Sequence, residues 1–435
     1  MRIREFLEMD FILFFAAFIL IAVGVLFIYS SGITSEGVLI SREYRRQIVW
    51  GAAGLVIALL VTMLNYRRLY DLSIYLYLGT IVMLLGTLLF GRVQYGSRWL
   101  RFGSFGFQTS EFAKISTILF LAWYLDNTKR SQTVFSRFII SSLIVLIPMA
   151  IVLLQPDLGT ALVFIPILLG MTFIAGISLR YIIFLTVTII LTGFFLVVPI
   201  WQSAIMRNAF PSMMMLANFR FVGAICMALL LIITISWFGL IRYHKRYFYW
   251  ICYIAAVFVL SLGTSFAAQK VLKEYQIMRL IVFMDPNVDP RGSGWHIIQS
   301  ITAIGSGGAF GKGFLQGTQS HYRFLPEQST DFIFSILSEE WGFSGGILVF
   351  VLFLIINLRL IRIIRISSDT FGSYMVAGLA SMFAFHFMIN VGMTMGIMPI
   401  TGIPLMFLSY GGSALFTAMI GIGLAMSVHV RRYHY

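Results

Sequence analysis

Twelve apolar runs of membrane-spanning length divide this chain, and they leave it one kind of environment to fold in. The hydrocarbon core of a bilayer is about 30 Å thick and a helix rises 1.5 Å per residue, so a spanning helix takes about 20 mostly apolar residues. Such runs occur at 11–30, 47–64, 72–90, 112–125, 138–154, 158–176, 181–200, 221–241, 248–265, 344–361, 373–392 and 403–427. Lipid offers no partner to a backbone amide, so each run must pair its own N–H and C=O groups as a helix. The fold class expected is therefore all-α: a polytopic transmembrane helical bundle forming a single integral membrane domain over 1–435. Charged residues make up 11% of the chain, against roughly 25% in soluble domains, which excludes a water-soluble fold. Met1–Asp10 carries Arg2 and Arg4 but no small-residue cleavage site follows, so the first run reads as a span and not a cleaved signal. Cys226 and Cys252 both fall inside runs and read as packing residues, not as a disulfide or metal site.

Charge sets the expected orientation. With the N-terminus in the cytoplasm, sixteen Lys and Arg residues fall in short inner loops and eight in short outer ones. The positive-inside rule then places both termini inside and segment 266–343 outside. The net charge of +14 is spread over short loops as topology signals are, which excludes a nucleic-acid surface. The outer arginines gain nothing for insertion and suit an anionic ligand such as a diphosphate lipid head, with simple loop solvation as the alternative.

Segment 266–343 holds seven of the seventeen acidic residues and is rich in glycine. Irregular backbone at membrane depth is tolerated only when buried in protein or lining a wet cavity, so this excursion is expected to fold back into the bundle. Within it, Asp285-Pro-Asn-Val-Asp289-Pro-Arg-Gly-Ser-Gly294 places two carboxylates before prolines, where the chain is extended. A carboxylate beside an apolar wall serves as a general base; the alternative is a pair of exposed Asp-Pro turns. Gly305–Gly313 with Lys312 is not a Walker loop, yet its amides offer a phosphate cradle. Three further segments interrupt apolar runs. Thr109-Ser-Glu111-Phe-Ala-Lys114 puts Glu111 and Lys114 on one helix face with Ser110 as cap. Gln155-Pro-Asp157 is either a functional site, because an ionisable group in a span is one by default, or a turn in which Asp157 caps the next helix. Pro399–Pro404 with Ser409-Tyr-Gly-Gly412-Ser413 breaks the last two spans, as helices lining substrate cavities do. The six histidines show no metal-ligand spacing.

Taken together these segments resemble the SEDS family (shape, elongation, division and sporulation proteins). The resemblance rests on GSRWL at 96–100, TSEFAK at 109–114, LLQPDLGTAL at 153–162 and DPNVDPRGSGWHIIQS at 285–300. It continues through AIGSGGAFGKGFLQGTQ at 303–319, FLPEQSTDFIFSILSEEWGF at 324–343 and GIMPITGIPLMFLSYGGSA at 396–414. Gly317-Thr-Gln319 and Ile400–Pro404 are closer to the RodA branch than to FtsW. The family has ten spans, so the twelve runs imply about ten core spans plus an inserted pair within 201–265. Gln328-Ser329 and Met406 depart from the usual pattern and are expected to be tolerated.

The resemblance implies a peptidoglycan glycosyltransferase that polymerises lipid II for cell elongation and rod shape. It implies a multi-pass protein of the bacterial cytoplasmic membrane with an extracytoplasmic active site and a class B penicillin-binding protein as partner. The family's catalytic aspartate falls on Asp289, with Asp285 beside it. Developing charge on the leaving diphosphate needs cations; Arg98, Lys114, Lys312 and a divalent metal are the expected sources. Glu111 and Asp157 offer the hard oxygens that suit Mg²⁺, and Glu111 with Lys114 is expected to organise the site. The rival readings are a lipid II flippase, which would place ionisable groups along a path to both faces, and a non-catalytic scaffold for the transpeptidase.

Overall fold

The computed structural model describes residues 8–90, 99–102, 105–205, 218–290 and 292–433. Twelve helices carry the apolar runs: eleven runs are helical to within two residues, and the twelfth, 403–427, becomes helical only at Gly412. In chain order they are α1 Phe11–Ser31, α2 Glu43–Met63, α3 Arg68–Phe90, α4 Thr109–Asn127, α5 Val134–Leu154, α6 Leu158–Ile174, α7 Leu179–Ile205, α8 Phe219–Tyr243 and α9 Arg246–Val271. Two short helices, α10 Glu274–Met284 and α11 Ser293–Ser306, precede a single turn, α12 Thr318–His321. The last three long helices are α13 Ile333–Ile366, α14 Thr370–Thr394 and α15 Gly412–Val430. Among the described residues, ten helices are long and apolar enough to cross a membrane. Of the remaining long ones, α4 carries Glu111, Lys114 and Asp126 along its length, and α6 has only 17 residues.

The all-α expectation has one exception. Trp99–Phe102 and Phe105–Gln108 form an antiparallel ribbon, β1 and β2, with Trp99 opposite Gln108. Aromatic residues at a period of two favour a pleated strand over a helix.

The chain forms two compact units, Met1–Ile177 with Trp295–Tyr435, and Ser178–Gly294. In the first, α15 is the central helix, 83% buried, and α14 is 56% buried. The connection between them, 395–411, is not helical. It is nonetheless buried at Ile400, Ile403 and Leu405–Leu408, so its backbone takes partners from the protein. Asn390 donates to Ile403 O at 2.8 Å and to Asp331 O at 2.9 Å, and Ser409 Oγ donates to Thr330 O at 2.6 Å. At the start of the chain Asp10 caps α1 through Leu13 N and accepts Arg359 Nε at 2.7 Å, which ties α1 to α13.

In the second unit, α9 of the expected inserted pair packs with both α8 and α7, so this compact unit extends beyond 201–265. Tyr253 donates to Arg180 O at 2.8 Å, Ser261 to Thr188 O at 3.2 Å, and the Thr192 and Thr264 hydroxyls meet at 2.7 Å. Only 11% of α8 is buried, which an apolar helix tolerates when lipid covers it.

Segment 266–343 is largely helical instead of a long loop. Its first residues complete α9, α10 and α11 occupy its middle, and α13 begins at Ile333 and not near 344. The break expected there is internal: Gly342 sits at φ 65°, ψ −158° and kinks α13.

Candidate active site

Three polar clusters hold the residues singled out from the sequence. The first lies where α4 starts. Local spacing brings Lys114 Nζ to Glu111 Oε1 at 2.9 Å, one helical turn away. Tertiary packing adds His386 of α14, whose Nε2 lies 3.0 Å from Lys114 Nζ and whose Nδ1 lies 3.1 Å from Pro404 O. A carbonyl can only accept, so Nδ1 carries the proton and Nε2 takes its hydrogen bond from the ammonium. Lys114, Glu111 and His386 are 0%, 1% and 1% exposed. The Lys114 charge is thus compensated inside the bundle, where it orders α4, α14 and the Pro404 segment. Glu111 Oε2 accepts no hydrogen bond. Ser110 does not cap α4 as expected: its buried hydroxyl makes no hydrogen bond, and Gln108 holds the N-cap position without a side-chain bond to the α4 amides.

Asp157 does cap α6. Its Oδ1 accepts Thr160 N at 3.2 Å, while Oδ2 accepts Thr160 Oγ1 at 3.0 Å and Gln108 Nε2 at 3.1 Å. One turn residue thereby joins the α5–α6 corner to the end of β2.

The second cluster surrounds two adjacent, fully buried carboxylates of α13. Glu339 Oε1 accepts Lys312 Nζ at 2.8 Å, Thr318 N at 2.8 Å, Thr318 Oγ1 at 3.0 Å and Gln319 N at 3.0 Å. Glu340 accepts Leu315 N at 3.1 Å and the Ser30 hydroxyl, with His321 Nε2 at 3.7 Å. The backbone completes the clasp: Lys312 N and Gly313 N donate to Glu339 O and Glu340 O, both at 3.0 Å. Phe343 N and Ser344 N donate back to Gly308 O and Ala309 O. These bonds occupy part of the stretch, 305–313, expected to offer a phosphate cradle. The amides of Lys312 and Gly313 are spent on α13 carbonyls and that of Gly311 on Gly307 O, and Lys312, 26% exposed at its side chain, is an ion-pair partner of Glu339.

The third cluster is the Asp-Pro segment of the second unit. Asp285 Oδ1 accepts Asn287 N at 2.9 Å and Asn287 Nδ2 at 3.0 Å, a closed local turn. Asp289 differs. Its Oδ2 accepts Ser293 N at 2.8 Å at the start of α11, and Gly294 N donates to its backbone carbonyl at 3.0 Å. The carboxylate is half-buried, with one oxygen held by an amide and the other, Oδ1, engaged by no described residue. An anchored carboxylate with one available oxygen has the form a general base requires. Arg98 lies outside the described residues.

The metal expectation fits poorly. Among the described residues no three His, Cys, Asp or Glu side chains converge. Glu111 already holds an ammonium, and both oxygens of Asp157 hold protein donors.

Sequence reasoning passed over His386, Gln108 and the role of Glu339. His386 carried a signal, as an ionisable side chain inside an apolar span. Glu339 carried none beyond its charge, because its partners lie 19–27 residues away in a stretch read as loop.

Comparison with known proteins places these clusters in context. The "Cell cycle protein" family of FtsW, RodA and SpoVE matches residues 10–209 and 216–434. The chain is 48% identical over 438 residues to "Peptidoglycan glycosyltransferase RodA" of Treponema pallidum (strain Nichols), covering 99% of this chain and 100% of that one. It is 32% identical over 388 residues to "Peptidoglycan glycosyltransferase MrdB" of Escherichia coli (strain K12), covering 89% and 85%. In three dimensions it is similar to a chain from a study of polymerization and crosslinking by a peptidoglycan synthase complex. The TM-score is 0.67 at 26% identity, over 98% of this chain and 99% of that one. The fold is also that of the rod shape determining protein RodA of Thermus thermophilus, with a TM-score of 0.61 at 24% identity and 98% coverage of both chains. The chain belongs to the FtsW, RodA and SpoVE family of cell cycle proteins.

Proposed function

We propose that this protein is a peptidoglycan glycosyltransferase that polymerises lipid II into glycan strands, with Asp289 as general base. The observation that carries the reading is the 48% identity, end to end, with a protein named for that activity. In this reading Asp289 takes the proton from the 4-hydroxyl of the acceptor's GlcNAc. The freed oxygen attacks the anomeric carbon of the donor, and undecaprenyl diphosphate leaves with its electron pair. The amide of Ser293 orients the carboxylate, and a positioned base contributes about 10²–10⁴ in rate. Glu111, Lys114 and Asp157 organise the site, Lys312 holds the glycine-rich stretch, and Arg98 supplies positive charge to the diphosphate. Asp285 shapes the approach to Asp289 through its turn.

The protein is a multi-pass membrane protein. We place it in the bacterial cytoplasmic membrane with both termini inside, the reaction on the outer face, and a class B penicillin-binding protein as its partner. A divalent cation such as Mg²⁺, if the reaction uses one, is a companion of the substrate's diphosphate in this reading, given the poor fit of Glu111 and Asp157.

The test is a gel assay of lipid II polymerisation. Purified wild type is compared with Asp289→Asn, each with the cognate transpeptidase blocked in transpeptidation, with Mg²⁺ or with EDTA. Polymer from wild type and at least a hundredfold less from the variant supports the assignment. Equal polymer from both moves the base elsewhere. No polymer from wild type with a bound partner favours the flippase or the scaffold.

A further inference from the structure

Apart from these clusters, the first unit carries a cleft of about 670 Å³ between the α1–α2 connection and residues 323–329. Arg42, Arg46 and Arg323 line it, together with Glu43, Glu327 and Gln328. Arg42 and Arg46 stand one turn apart at the start of α2, so they share a helix face. Among the described residues, no ion pair joins any of the three guanidinium groups to a carboxylate. Arg46 instead interacts electrostatically with the side chain of Tyr410, in the Ser409-Tyr-Gly-Gly segment that leads into α15. Gln47 of the same turn donates to Ser409 O at 3.2 Å.

The opposite wall is strained. Arg323 and Glu327 sit at φ 57° and 48°, the left-handed region that residues with a Cβ rarely occupy. Their surroundings hold them there. Trp295 Nε1 donates to Phe324 O at 2.8 Å, Gln328 Nε2 to Ser320 O at 3.0 Å, and Tyr410 N to Ser329 O at 2.8 Å. Strain of this kind persists where the surrounding structure over-determines it, and it clusters at ligand sites.

The lining carries both signs of charge, and this selects among ligands. Glu43 and Glu327 would repel a diphosphate. A short peptide bearing several carboxylates, an amine and amide groups matches three guanidinium forks, two carboxylates and a carboxamide. Arginine recognises a carboxylate through two parallel hydrogen bonds. We infer that this cleft is the subsite for the peptide carried on the sugar of the substrate, which sets the register of the glycan by its peptide and not by its lipid. The inference rests on the proposed lipid II reading for the identity of that peptide.

The experiment compares wild type with the triple variant Arg42→Gln/Arg46→Gln/Arg323→Gln, both full-length and with the blocked transpeptidase. Two substrates are used: lipid II with its pentapeptide, and lipid II whose peptide is trimmed to the first residue. All three side chains are exposed, so the variant is expected to melt at the wild-type temperature. On the full substrate its KM rises by about tenfold or more, the size of lost charge-assisted hydrogen bonds, while kcat stays within about twofold. On the trimmed substrate wild type shows the same rise and the variant adds nothing to it, as groups acting on one contact do. An unchanged KM, or an equal loss on both substrates, overturns the proposal and assigns the arginines to the diphosphate or to long-range attraction. A second arm titrates free muramyl pentapeptide and, separately, undecaprenyl diphosphate into each protein. Muramyl peptide binding that is lost in the variant supports the cleft even where wild type makes no polymer, in which case the glycosyltransferase reading fails and the subsite stands. Binding of the diphosphate alone, sensitive to the arginines, overturns it.

Discussion

Lys114 Nζ and His386 Nε2 meet 3.0 Å apart, 272 residues distant in sequence, at a point with almost no access to solvent. The ammonium is held by one carboxylate and one imidazole, and the imidazole is oriented by Pro404 O. His386→Gln preserves the pattern, because a carboxamide accepts from Lys114 with its oxygen and donates to Pro404 with its nitrogen. His386→Leu leaves a buried ammonium short of an acceptor, which costs about 1–3 kcal/mol. Thermal unfolding in one detergent checks this. A leucine variant as stable as wild type would show that the contact contributes nothing.

Glu339 and Lys312 form an ion pair whose two halves are unequal. Glu339 is fully buried and accepts from four groups besides Lys312, whereas Lys312 is partly exposed. Replacing Glu339 by Leu strands those donors and is expected to cost about 3–5 kcal/mol. Lys312→Met leaves Glu339 its backbone donors and is expected to cost about 1 kcal/mol, after allowance for solvent screening. Melting temperatures of the two variants decide the matter, and a lysine variant that falls further than the glutamate one contradicts it.

Gly342 is a backbone requirement of the clasp. At φ 65°, ψ −158° it occupies a region nearly closed to residues with a side chain, and a Cβ there would overlap the Gly311 amide nitrogen and Gly308 O. Gly342→Ala should cost at least about 3 kcal/mol. Size-exclusion profiles of the protein extracted from membranes should show aggregation or lost yield. A monodisperse variant at normal yield would show that the kink relaxes.

Asp157 separates a cap from a metal ligand. As a cap, Asp157→Asn keeps an acceptor for Thr160 N and leaves stability nearly unchanged, while Asp157→Ala costs about 1–2 kcal/mol. Neither shifts the Mg²⁺ concentration giving half-maximal polymerisation. A shift of tenfold in that concentration for Asp157→Asn would return the carboxylate to the metal.

What the sequence determined by itself is local or periodic. Eleven of the long helices follow from runs of apolar residues that lipid forces to pair internally, and α15 from the part of the last run after Gly411. The Glu111–Lys114 pair follows from three-residue spacing on a helix, and the Asp157 cap from a turn before an apolar run. The Asp285 turn is equally local. Family likeness reached most of the fold because its motifs are spread from 96 to 414, with none in 201–265.

The tertiary structure decided which of those polar groups meet. Glu111–Lys114 became a buried triad only through a histidine on α14, and the end of the glycine-rich stretch gave the amides of Lys312 and Gly313 to α13. The compact unit 178–294 takes in α7 as well as the expected inserted pair because α7 packs against α9, which in turn packs against α8. Tertiary packing also joined Arg42 and Arg46 to Arg323 around one cleft. The reason is physical: hydrogen-bond donors and acceptors are satisfied by whatever lies within about 3 Å, and for residues far apart in sequence that distance is set by how helices pack. Spacing along the chain predicts neighbours one turn away, and it is silent on neighbours brought in by another helix.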